Sequence, residues 1–143
     1  MITTLYCYLP TALCVVLIFI LSFFSPPHTP LDNVAMIDKW THFVMYGGTV
    51  AMFWLDYWRA HYRHGSVLSV RTLIIIAFVV PILLGGLIEL AQAYCTGGRR
   101  SGEWLDLLAD AVGVLMGDAL GLTAVRRLCC RMWKPKAGDV QRR

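Results

Sequence analysis

Residues 85–117, GGLIELAQAYCTGGRRSGEWLDLLADAVGVLMG, decide how this chain is read. An apolar segment ends in Glu89 and Gln92, a basic glycine-rich turn carries Arg99 and Arg100, and a second apolar segment opens with Asp106 and Asp110. Both segments read as membrane-spanning helices. An ionisable side chain inside such a helix costs about 2.5–3.5 kcal/mol at the bilayer centre, so it faces a partner, a cavity or a pathway rather than lipid. The rest of the chain has to supply that partner.

Composition agrees with a membrane setting. Of 143 residues, 57% are hydrophobic and only 15% charged, with a mean hydropathy of +0.59, which leaves too little polar surface to coat a soluble core. Net charge is +4, and seven of the 13 Lys and Arg residues lie in 126–143. A basic tail beside a spanning helix attracts anionic lipid headgroups at about 1 kcal/mol per charge. No aromatic-interleaved basic patch accompanies it, so nucleic acid is not an expected partner. The five cysteines form no C-x-x-C or Cys/His spacing and read as small buried or interfacial thiols, so no metal site is assigned from them.

Four apolar runs follow one another. Residues 5–24 can span a hydrocarbon core of about 30 Å, and the Ser25-Pro26-Pro27 stop without a charged leader reads as a retained helix rather than a signal peptide. The second helix is expected over 40–58, with Trp40 at one end and Trp54, Tyr57 and Trp58 at the other as interfacial belts. Asp38, His42 and Tyr46 share one of its faces, and Gly47 and Gly48 are expected to admit a neighbouring helix. Residues 59–71 hold three arginines, His61, His64 and no acid, and read as a basic loop.

The third helix is expected over 72–94, kinked at Pro81, with Gly85, Glu89 and Gln92 on one face. The fourth, over 104–122, aligns Asp106, Asp110, Gly113 and Gly117, the last two forming a small-residue packing motif. The fold class is thus all-α, a polytopic four-helix bundle over 1–125 followed by a basic tail at 126–143. Arg and Lys are concentrated in the 59–71 loop and the tail, so the positive-inside rule puts both termini and that loop in the cytoplasm, with the chain a multi-pass protein of the cytoplasmic (inner) membrane.

In that topology every unexplained polar residue falls at the outer end of its helix. A rise of about 1.5 Å per residue sets Tyr46, Glu89 and Asp110 roughly 8–10 Å below the outer interface, with Lys39, His42, Gln92, Arg100 and Asp106 above them. The simplest geometry is a polar funnel floored by carboxylates. The second and fourth helices aim their N-termini at it, which with Lys39 and Arg100 favours an anionic group entering from outside.

The motifs Asp38-Lys39-x-x-His42-Phe43-x-x-Tyr46, Glu89-x-x-Gln92 and Arg100-Ser101-Gly102-x-x-x-Asp106-x-x-x-Asp110-x-x-Gly113-x-x-x-Gly117 resemble those of the VanZ family of small membrane proteins, over about residues 36–121. The family more often has Asn where this chain has Asp110. The resemblance implies an envelope role, tolerance of teicoplanin-like glycopeptides being the best-known phenotype, without an agreed chemical activity.

Two functions fit these residues. In one, Asp38, Lys39, His42, Tyr46, Glu89, Gln92, Arg100, Asp106 and Asp110 bind an anionic lipid-linked headgroup, a cell-wall precursor or an amphiphilic antibiotic, in contact with membrane lipids. In the other the chain is a small intramembrane hydrolase or transferase, with Glu89 or Asp110 as general base or metal ligand and His42 as acid. Its carboxylates can hold Mg²⁺ through oxygen, although no specific motif calls for a cofactor. No Ser or Cys nucleophile has an evident partner. A transporter would need an inner gate, for which Asp56 and Asp118 are the candidates. The same acids and bases can also simply pair to fix helix order.

Overall fold

The structure, a computed structural model, describes residues 6–23, 36–65, 67–95 and 103–133. Among them it is all-helical. Helix α1 is Leu9–Phe23 and α2 is Ile37–His64. Helix α3 runs through Val70–Ile74, a π turn at Ile75–Val79 and Val80–Cys95. Helix α4 spans Trp104–Trp133 and contains a second π turn at Gly121–Val125.

Helix α2 is the centre of the bundle. Its buried stripe of His42, Tyr46, Val50, Phe53, Trp54 and Tyr57 recurs at three- and four-residue steps, the period of one helical face. Helix α4 packs against that stripe through glycine. A Cβ added at Gly113 would stand 2.4 Å from the Phe43 carbonyl oxygen, one at Gly117 2.6 Å from that of Gly47, and one at Gly47 2.9 Å from that of Gly113. The two backbones therefore approach as closely as the small-residue motif predicts. Gly48 differs: nothing lies within 4 Å of its Cβ position, because it is turned one residue off the interface.

Helix α1 lies antiparallel to α2 and is tied to it by polar bonds. The Thr11 backbone N–H and hydroxyl donate to Asp56 Oδ2 at 3.0 and 2.7 Å, and Arg59 bridges Asp56 and the Cys7 carbonyl oxygen. At the other end of α1, the Gln92 amide donates to the Ser22 carbonyl oxygen at 2.7 Å, joining α1 to α3. No disulfide joins Cys7, Cys14, Cys129 or Cys130.

Two helices, Val70–Tyr94 and Trp104–Trp133, are long and apolar enough to cross a membrane, with mean hydropathies of 2.7 and 1.6 over their most apolar windows. Helix α1 is apolar but its described length is 15 residues. Helix α2 is long enough at 28 residues, yet its buried stripe carries polar groups. Exposed leucines and valines, Leu13, Leu17, Leu83, Leu87, Leu115 and Val112 among them, belt the bundle.

Several local expectations need correction. Helix α2 continues through 59–64, expected as loop, and stops only where Gly65 takes φ +67° and donates its N–H to the His61 carbonyl oxygen, a left-handed cap glycine adopts without strain. Helix α4 likewise runs into the expected tail as far as Trp133. The two extensions meet: Arg126 lies 5.2 Å over the Trp58 ring, and Trp58 stacks on Tyr62. Trp54 and Tyr57 are core residues at 4% exposure, not an interfacial belt. Ahead of Pro81, α3 forms a π turn. Proline lacks an N–H and crowds the carbonyl four residues back, here Ala77, and the wider turn around Ala77 takes up that misfit.

Candidate functional site

Antiparallel packing brings the C-terminal end of α3 and the N-terminal ends of α2 and α4 to one end of the bundle. On α2, the i, i+4, i+8 spacing points His42 and Tyr46 inward while Asp38, the second residue of the helix, stays exposed. On α3, Glu89 and Gln92 are buried, and on α4 so are Asp106 and Asp110. His42, Glu89 and Asp110 thus meet at the centre, while Gln92 donates to the Ser22 carbonyl oxygen of α1 and Asp38 stays exposed.

At the centre, His42 Nδ1 lies 2.9 Å from Asp110 Oδ1 and 3.8 Å from Glu89 Oε1. With Asp110 ionised, Nδ1 must carry the hydrogen of the shorter contact, because a carboxylate only accepts. Asp110 is fully buried and Glu89 is 7% exposed. Asp110 Oδ2 packs on the backbone of Gly85, where a Cβ would come within 2.5 Å of it, so Gly85 is the space that admits the carboxylate. Among the described residues Asp110 Oδ2, Glu89 Oε1 and the Tyr46 hydroxyl have no hydrogen-bond partner. Tyr46 is 1% exposed, so it belongs to this buried centre.

A second layer covers the first. Lys39 Nζ donates to Glu103 Oε2 at 2.5 Å and lies 2.9 Å from Asp106 Oδ1 and 3.8 Å from Asp38. Lys39 stands ahead of the span read over 40–58. The Glu103 hydrogen bond raises its ammonium above the ordinary lysine range, burial acts in the opposite direction, and Asp106 adds to the rise. The sign is that of a cation gaining partners: the pair's contribution is complete below the ordinary lysine value and is lost only as pH climbs past it. Lys39 is therefore charged at any physiological pH.

Glu103 was not among the residues singled out from sequence, and it joins the two layers. Its carboxylate holds Lys39, while its backbone N–H donates to Glu89 Oε2 at 2.9 Å. The hint in sequence was its position just ahead of α4, where backbone N–H groups lack helical partners. Arg100 and the adjoining turn lie outside the described residues.

Two groups have donor atoms close enough to hold one metal ion: His42 with Glu89 and Asp110, and Asp38 with His42 and Asp106, each set within 4.8 Å of one another. An open groove of about 480 Å³ runs beside the site between α2 and α4. Trp40, Phe43, Leu108, Val112 and Met116 line it, and Lys39 stands at its margin. At the other end of the bundle the gate candidates are engaged. Asp56 is held by Thr11 and Arg59, and Asp118 accepts from the Trp54 indole at 2.7 Å.

No protein-family model, curated protein or solved structure matches the chain.

Proposed function

We propose that the chain is a four-span protein of the cytoplasmic membrane, VanZ-like in its motifs, that binds an anionic lipid-linked headgroup at its outward end and so contributes to envelope integrity or tolerance of teicoplanin-like glycopeptides. The observation carrying this reading is the segregation of charge. The His42–Glu89–Asp110 centre and the Lys39–Glu103–Asp106 layer occupy one end of the bundle, whereas Arg59, Arg63, Arg71, Arg126, Arg127 and Arg131 belong to the other. The positive-inside rule then directs the arginine end to the cytoplasm and the polar centre outward. The exposed apolar belt supports four spans.

A lipid-linked ligand suits the neighbouring surfaces. The N-termini of α2 and α4 both face the polar end, Lys39 is there, and the turn joining α3 to α4 contributes Arg99 and Arg100 in sequence. The apolar groove beside Lys39 has the lining an acyl or isoprenoid chain needs. Purified protein in detergent should bind a polyprenyl phosphate, and Arg100→Ala should weaken binding about tenfold, the loss of one charge-assisted hydrogen bond. No binding, or affinity unchanged by Arg100→Ala, counts against the reading. A deletion strain should in parallel become more susceptible to teicoplanin.

One observation favours a catalytic version. The 2.9 Å His42–Asp110 contact, with Glu89 beside it, is the arrangement of a positioned general acid–base pair. In this alternative the chain is a small hydrolase or transferase acting on the same headgroup. Product formed from a lipid-linked phosphate by the wild type, and lost in Asp110→Asn, would establish it.

A further inference from the structure

Headgroup binding leaves a charge problem. Among the described residues the polar end holds Asp38, Glu89, Glu103, Asp106 and Asp110 against Lys39 and His42, and Lys39 is already committed to Glu103 and Asp106. Such a floor repels an anion. Of its buried carboxylates, Glu89 Oε1 and Asp110 Oδ2 have no hydrogen-bond partner among the described residues and Asp106 Oδ1 has only the Lys39 ion pair, while Glu89 Oε1 and Asp110 Oδ1 stand 3.8 Å and 2.9 Å from the same imidazole nitrogen.

We infer that His42, Glu89 and Asp110 form a binding site for one divalent transition-metal ion, of the zinc or manganese class. The inference rests on the proposed headgroup reading for its purpose and on the cluster's own geometry for its existence. Donor atoms around a tetrahedral ion stand about 3.3–3.6 Å apart when the bonds are about 2.0–2.2 Å. The observed separations of 2.9 Å and 3.8 Å from Nδ1 to the two carboxylates bracket that spacing. One imidazole and two carboxylates make a mixed donor set that suits zinc or manganese better than magnesium, which prefers oxygen ligands and keeps its waters.

Charge balance agrees. Two carboxylates neutralise a dication, and the ion takes the place of the hydrogen on Nδ1 while the imidazole stays neutral with its hydrogen on Nε2. Gly85 leaves room for the Asp110 carboxylate, and the Glu103 N–H fixes the other oxygen of Glu89, so that Oε1 is the one turned toward His42. The competing group of Asp38, His42 and Asp106 is poorer, because the Lys39 ammonium lies 2.9 Å from Asp106 and would repel a dication. With three protein ligands, the ion keeps a coordination position that they do not fill, and its charge offsets that of the acidic floor beneath the Lys39 layer.

The test uses the full chain in detergent, stripped with chelator and titrated by calorimetry with ZnCl₂, MnCl₂ and MgCl₂ in the absence of lipid. One equivalent of Zn²⁺ or Mn²⁺ should bind, at least tenfold tighter than Mg²⁺. Glu89→Gln and Asp110→Asn, each checked for helicity by circular dichroism, should weaken it at least tenfold, while Asp38→Asn should not. Should a variant fail to fold, the wild type alone decides: pulsed EPR of the Mn²⁺-loaded protein should show coupling to one imidazole nitrogen. Absence of stoichiometric binding, indifference to Glu89→Gln and Asp110→Asn, dependence on Asp38 instead, or no nitrogen coupling would each overturn the inference. Failure here leaves headgroup binding to be judged by the polyprenyl phosphate experiment. Failure of the metal-loaded protein to bind polyprenyl phosphate removes the headgroup reading and leaves the metal site standing.

Discussion

Gly113→Ala adds one methyl group to the tightest point of the α2–α4 interface, and the structure sets its cost. The new Cβ would stand 2.4 Å from the Phe43 carbonyl oxygen and 3.1 Å from the Gly47 nitrogen, where 3.4 Å begins ordinary contact. Both obstacles are backbone, so no rotamer change relieves them and the helices must part by about 1 Å. Overpacking of this kind costs about 1–3 kcal/mol. Parting also stretches the 2.9 Å His42–Asp110 contact, which lies one residue from Phe43 on α2 and three from Gly113 on α4. Gly48→Ala is the internal control: it meets nothing within 4 Å and should raise helix stability by about 0.5–1 kcal/mol. Unfolding by SDS titration in mixed micelles, followed by far-UV circular dichroism, should rank Gly48→Ala at or above wild type and Gly113→Ala about 2 kcal/mol below it. Wild-type stability in Gly113→Ala, or an equal loss in both variants, would refute the close backbone packing.

Further consequences follow from single side chains. Asp56→Asn weakens the charged acceptor that Thr11 and Arg59 share, so it should cost about 3 kcal/mol and make α1 the first segment cut in limited proteolysis. Trp54→Phe removes the indole donor to Asp118 and should cost about 1–2 kcal/mol in the same SDS titration. Lys39→Met strips Asp106 of its cation and should cost about 1–3 kcal/mol, most of it recovered by adding Asp106→Asn, whereas simple loss of packing would show no such recovery.

The candidate site was more legible in the sequence than the helix boundaries were. A stripe at i, i+4, i+8 fixes which side chains share a face whatever the tertiary fold, so His42 and Tyr46, Glu89 and Gln92, and Asp106 and Asp110 could be grouped without coordinates. Antiparallel connection of short-looped helices then sent the three groups to one end. Boundaries failed where composition misleads. Arginine and histidine in 59–64 and 126–133 read as loop and tail, yet both are compatible with helix, and there the aromatic rings of Trp58 and Tyr62 cover α4 through Arg126. Trp54 and Tyr57 looked interfacial because the true helix end, Gly65, lies two turns further on. Glu103 was missed because half of its contribution is a backbone N–H, which no residue pattern records. The π turn ahead of Pro81 could be anticipated only as an irregularity, since proline dictates that a bond is lost but not how the neighbouring turn widens.

The orientation of the polar end is the claim on which the functional account stands, and impermeant thiol labelling tests it most directly. In a background with the five native cysteines replaced by alanine, Trp104→Cys marks the polar end and Val67→Cys the arginine end, both at positions 73% exposed. Intact spheroplasts should label position 104 at once and position 67 only after permeabilisation. Labelling of 67 from outside with 104 protected would turn the His42–Glu89–Asp110 centre toward the cytoplasm and contradict the account.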